Sequence, residues 1–166
     1  MIHKSSCEFT IKRSGSDVFL ALKGSINETC NWPDLSGQPL GHLHIDLQEV
    51  RLINSFGCRD WANWITGFKA SKGISLHNCP EVFTRQLNIF ETLVPKSAVI
   101  QSFYVNYICL SCSHEQAMLL ERDKDYSPQQ LPLLPKSIPC PNCHAQMDLE
   151  TTGDNHFQFL NNLQSA

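Results

Sequence analysis

Apolar and polar residues alternate in two short runs near the start of the chain, Phe9–Ile11 and Val18–Leu22, with Ser14-Gly15-Ser16-Asp17 between them. Two alternating runs split by turn-forming residues predict a β-hairpin. A third strand is expected at LHIDL (43–47), where Leu43, Ile45 and Leu47 share one face and His42, His44 and Asp46 fall on the other. From Ser55 the period changes. Cys58, Trp61, Ile65 and Phe68 recur at helical spacing with Trp64 beside them, which predicts an amphipathic helix over Phe56–Ala70.

Gly73 follows, and Ile74–His77 again reads as a strand. Asn78-Cys79-Pro80 is a helix-start signal, and Phe83, Leu87, Phe90 and Val94 mark one face of a second helix that Pro95 stops. SAVIQSFYVNYIC (97–109) is rich in β-branched and aromatic residues and predicts one long strand. This order predicts an α/β protein with a mixed sheet covered by helices. Between the hairpin and LHIDL, TCNWPDLSGQPLG carries two prolines and two glycines and supports at most one helical turn. Trp32, inside it, reads as an exposed anchor for a partner.

The cysteines change the picture after residue 105. Cys7, Cys30, Cys58 and Cys79 are scattered, but Cys109/Cys112 and Cys140/Cys143 form two CxxC pairs separated by 27 residues. Cysteines spaced in this way aim two thiolates at one point, and two such knuckles complete a tetrahedral sulfur site suited to structural Zn²⁺. YVNYIC enters the first knuckle and AMLLE (117–121) leaves it. After the second come AQMDLE and HFQFL (156–160), both strand-like, while the loop DYSPQQLPLLPKSIP is too proline-rich for regular structure. The pattern is that of a zinc ribbon, with His114 and His144 as surface residues beside the knuckles. The expected organisation is a first domain over 1–105 and a zinc-ribbon-like module over 106–166.

The chain has 166 residues and a formal net charge of −3. It has no apolar run of about 18 residues, and MIHKSSCEF lacks the apolar core of a signal peptide. The expectation is a cytoplasmic protein with reduced cysteines and no membrane insertion. Only Arg122, Lys124 and Lys136 are basic between the knuckles, against Glu115, Glu121, Asp123 and Asp125. That balance argues against a phosphate-binding surface, although Phe103, Tyr104 and Tyr107 could stack on bases.

GSINE (24–28) and HIDLQEVRLINSFG (44–57) resemble the STAS family, the sulfate-transporter and anti-sigma-factor-antagonist domains. Gly24, Ile26 and Asn27 match the family's first turn, Asp46-Leu47 and Val50 its strand, and Ser55 with Gly57 its phosphoacceptor turn; the likeness covers about three-fifths of the chain. Asn54 stands where the family has an acidic residue, and the helix expected before LHIDL is reduced to the broken segment. The resemblance implies a STAS-like sheet and a non-enzymatic, partner-switching regulator of bacterial type. Its partner would be another protein, such as an anti-sigma-factor or kinase-like component, met on a face around Asn27, Asn54, Ser55 and Gly57 and switched by phosphorylation of Ser55. Self-association is left open.

Two other readings come from the residues. A zinc ribbon can bind nucleic acid, and Ser55 at a strand-to-helix turn, with His42, His44 and Asp46 nearby in sequence, could form a hydrolytic triad. The glycine two places before the serine that a nucleophile elbow needs is missing. On these grounds Ser55 is expected to be the N-cap of its helix, with Gly57 leaving room for a backbone or a phosphate.

Overall fold

The computed structural model describes residues 6–35, 40–68, 70–150 and 156–164. The hairpin forms as the alternation predicts. β1 (Cys7–Ser14) pairs antiparallel with β2 (Asp17–Ile26) from Cys7↔Gly24 to Ser14↔Asp17. β3 (His42–Ile53), β4 (Gly73–His77) and β5 (Ala98–Ile100) then add in parallel, giving a mixed sheet of order β1-β2-β3-β4-β5.

Leu20, Leu22, Leu43, Ile45, Leu47, Ile74 and Leu76 are buried on one face of this sheet. Two helices cover that face. α1 (Ser55–Thr66) inserts Trp61 and Ile65, and α2 (Glu81–Ile89) inserts Phe83 and Leu87, with Trp61 edge-on to Phe83 at 5.2 Å. The strands therefore alternate between a face that packs and a face that remains open.

The segment after β2 forms a strap. Trp32 is not an exposed anchor: it stacks on Trp64 at 5.0 Å and contacts Phe9 and Trp61, while Trp64 Nε1 donates to the Pro33 carbonyl at 2.9 Å. Leu35 and Leu40 are buried as well. Aromatic packing thus fastens residues 32 and 33 to α1, and residues 29–35 hold no helix; residues 36–39 of the proline- and glycine-broken stretch lie outside the described residues.

Several element boundaries differ from expectation. α1 ends at Thr66, because the amide of Gly67 turns back to Trp64 and Phe68 leaves the helix to meet Trp64 edge-on at 4.9 Å. α2 ends at Ile89, yet Leu93 and Val94 are still buried beyond it. The expected long strand over 98–109 is two strands in two sheets. Its break is Gln101, whose amide donates to Leu76 while the chain passes into β6 (Ser102–Ile108).

β6 centres an antiparallel sheet of order β7-β6-β9-β8, completed by β7 (Glu115–Glu121), β8 (Ser137–Pro139) and β9 (Gln146–Leu149). HFQFL enters α3 (Gln158–Gln164) and not a strand. Five residues are too few for alternation to separate the two, and tertiary contacts decide: Asn88 donates to the His156 carbonyl at 2.9 Å and accepts from the Phe159 amide at 2.8 Å.

Phe103 of β6 packs against Tyr126, Phe157 and Phe159, and one continuous hydrophobic core runs through both sheets. The proline-rich loop between the knuckles, expected to lack regular structure, ends in β8, where Ser137, Ile138 and Pro139 pair with Asp148, Met147 and Gln146 at the sheet edge; the rest is irregular but fixed. Tyr126 and Tyr107 place their hydroxyls on the carbonyls of Ile100 and Pro135, both at 2.9 Å. Cys7 and Cys30, expected to be reduced and separate, are joined by a disulfide with Cα atoms 5.2 Å apart; the hairpin brings the start of β1 beside the end of β2. No described helix is long and apolar enough to cross a membrane.

Because Trp32 holds the strap to α1, Trp32→Ala should destabilise the fold by roughly 2–3 kcal/mol, below the range for a fully buried tryptophan because this one is half-buried. Denaturant unfolding followed by far-UV circular dichroism checks this.

Candidate functional site

Three groups of residues carry chemistry: the β3–α1 junction, the four paired cysteines, and the open face of the first sheet.

At the junction the cap is Asn54, not Ser55. Asn54 has extended backbone (φ −103°, ψ 175°) and accepts from the Gly57 amide through Oδ1 at 2.8 Å. Asparagine caps as well as serine, and here it stands one residue earlier, so Ser55 becomes the first helical residue. The Asn54 amide donates to the Ile26 carbonyl at 3.2 Å, and its Nδ2 donates to Glu28 at 3.0 Å. That bond is the main cause holding the Glu28 carboxyl below its ordinary range.

Gly57 serves packing. A Cβ there would meet the Ile26 carbonyl oxygen at 2.1 Å and the Asn27 nitrogen at 2.9 Å. The backbone that comes close is the protein's own, and Gly57 is buried. Asn27 is half-buried, and its Oδ1 accepts from Ser6 Oγ at 2.6 Å and from the Thr29 amide and hydroxyl at 2.9 Å each. Ser55 itself is exposed. Next to it Phe56 is 56% exposed beneath the Arg59 guanidinium. A groove of about 300 Å³, lined by Ser55, Cys58, Arg59 and Phe90 among others, runs alongside.

The four cysteines converge. Cys109 and Cys143 sulfurs lie 3.5 Å apart, those of Cys112 and Cys140 3.7 Å, and all four within 4.8 Å of one another. Four thiolates bound at about 2.3 Å in a tetrahedron would be spaced by about 3.8 Å, so the donor set fits a metal ion. The knuckles share one design. Ser113 and His144 follow their second cysteines with φ of 57° and 62°, and their amides return to the Cys109 and Cys140 carbonyls. The Asn142 side chain, then the His114 amide, hold the Cys112 thiol below its usual range, whereas Cys143, although the Ala145 amide lowers it, is pushed up to about 12 by the neighbouring Cys109 and Cys112 sulfurs. Neither His114 nor His144 enters the cluster.

His42, His44 and Asp46 alternate with the buried Leu43, Ile45 and Leu47 and so lie on the sheet face away from α1 and Ser55; the cavity that His44 and Asp46 line does not include Ser55. The sequence reading missed what does join them. His77 of β4 places Nε2 3.2 Å from His44 Nδ1, and Phe19 stacks on the His44 ring at 4.5 Å. Burial lowers the affinity of both imidazoles for a proton, with His42 beside His44 and His44 beside His77 adding to it. The only signal for His77 was its register opposite Asp46, which one strand alone does not reveal.

No protein-family model matches the chain, and no curated protein matches it.

Asn54→Ala should cost about 1 kcal/mol, whereas Ser55→Ala should stay within about 0.5 kcal/mol of the parent; paired denaturation curves check the contrast. Removal of metal by a chelator should lower Tm while leaving a single cooperative transition, because the cysteine-bearing sheet shares its core with the first. Scanning calorimetry before and after chelation tests this.

Proposed function

We propose that the protein is a non-enzymatic interaction module of the STAS, anti-sigma-factor-antagonist type, with a structural zinc ion in a C-terminal ribbon. Support for the first part comes from the element order up to β5, with a serine in the first turn of the first long helix and the sheet packed behind it. The four-thiolate cluster supports the second. It leaves no open coordination position, which suits a stabilising Zn²⁺ and not a catalytic one.

The observation that carries the reading is the freedom of the Ser55 hydroxyl. Asn54 takes over capping, so Ser55 is exposed and no structural duty accounts for it. A phosphoryl group there would add about −2 charge at a helix N-terminus, where the dipole favours it. The same charge would stand beside Phe56 and the groove to Phe90, an apolar surface suited to a protein partner. Gly57 and Asn27 serve that face from beneath: one lets α1 approach β2, the other ties the turn before Glu28.

Pull-down from the native cell with wild type, Ser55→Ala and Ser55→Asp tests the reading. The expected result is equal partner recovery with wild type and Ser55→Ala and a changed recovery with Ser55→Asp, at equal Tm. Unchanged recovery with Ser55→Asp would contradict it.

A further inference from the structure

The open face of the first sheet carries a cluster that neither the cysteine site nor the partner face uses. His44 lies on β3 and His77 on β4, adjacent parallel strands whose register sets Asp46 directly opposite His77. We propose that His44 and His77 form a second, exchangeable binding site for a divalent first-row transition metal, with the Asp46 carboxylate as its neighbouring negative charge.

The geometry of the two imidazoles carries this. Their Nδ1 and Nε2 atoms are 3.2 Å apart, and two nitrogens bound to one ion at about 2.0–2.1 Å are separated by about 3.1–3.4 Å. The same separation serves a hydrogen bond; an ion at that bond length from both nitrogens lies off the line between them, so each ring turns its lone pair out of the hydrogen-bond axis when a metal replaces the proton.

The surroundings hold the rings in place. His44 is sandwiched between Phe19 at 4.5 Å and His42 at 4.2 Å, and His42 is itself tied through Nε2 to Ser75 at 2.8 Å. Such packing fixes the orientation of a ligand ring before the ion arrives. Asp46 accepts from the Gln48 amide and from Asn78 Nδ2 through Oδ1 alone. Among the described residues the cysteine cluster is the one group of three or more preformed ligands, so the carboxylate contributes charge at the edge and two imidazoles bind directly.

A cavity of about 520 Å³ opens over the pair, with Lys12 and Thr10 also lining it. Both histidines line this space, so an ion bound to them exchanges with solvent through it in a way that a closed four-thiolate site does not allow. Imidazole ligands suit nickel, copper, zinc and iron. The site lies across the sheet from Ser55 and is independent of the partner reading.

Titration of full-length protein with Ni²⁺, after the cysteine cluster has been filled with zinc, tests the proposal. Isothermal calorimetry should show one further equivalent with a dissociation constant in the micromolar range. His44→Gln and His77→Gln should each weaken it by about tenfold or more, while His114→Gln and His144→Gln, beside the cysteines, leave it unchanged. A readout on the unmutated protein guards against misfolded variants: Ni²⁺ should broaden amide resonances of β3 and β4 around residues 44 and 77 before any others. Absence of saturable binding, millimolar affinity, affinity indifferent to either substitution, or broadening centred elsewhere would each overturn it.

Discussion

The approach of α1 to the end of β2 is the constraint on which the rest of the first sheet's chemistry depends. Two backbones meet there with no side chain between them: Gly57 lies against the Ile26 carbonyl, and the Asn54 amide donates to the same oxygen. That contact sets where α1 begins, and the Asn54 side chain closes its first turn. Ser55 is left at the rim with its hydroxyl outward. Exposure of the serine therefore follows from how its two neighbours, Asn54 and Gly57, are used.

A second constraint ties the two sheets together. At Gln101 the chain leaves one sheet for the other without a linker, and Phe103 enters a cluster with Tyr126, Phe157 and Phe159. Arg85 of α2 reinforces this join by bridging Glu81 and Glu150. Cys109 lies one residue beyond β6, so a metal held by the four cysteines would steady the strand that also carries the shared core. The expected division between 105 and 106 falls within β6, the strand that carries Phe103 at its start and leads into Cys109 at its end.

Periodicity made the hairpin, LHIDL and the Trp61–Ile65 helix face legible, since burial on one face of an element writes itself into spacing. The paired cysteines were legible for a different reason: a tetrahedral thiolate site restricts residue type and spacing together. What escaped were features decided by contacts between distant residues. Trp32 looked exposed because its partners, Phe9, Trp61 and Trp64, lie on other elements. HFQFL became part of a helix through Asn88, some seventy residues away. Ser55 and Asn54 are both good caps, and only the position of Ile26 selects between them. His77 joined His44 through strand order, which one segment cannot disclose.

The central claim is that the exposed rim beside Ser55 is where this protein meets another. A photo-cross-linking residue placed at Phe56, introduced in the native cell, tests it directly. The account predicts one discrete covalent adduct at that position, present with Ser55 intact and changed in yield when Ser55→Asp is combined with it. No adduct at position 56, or an adduct of equal yield with and without Ser55→Asp, would contradict it.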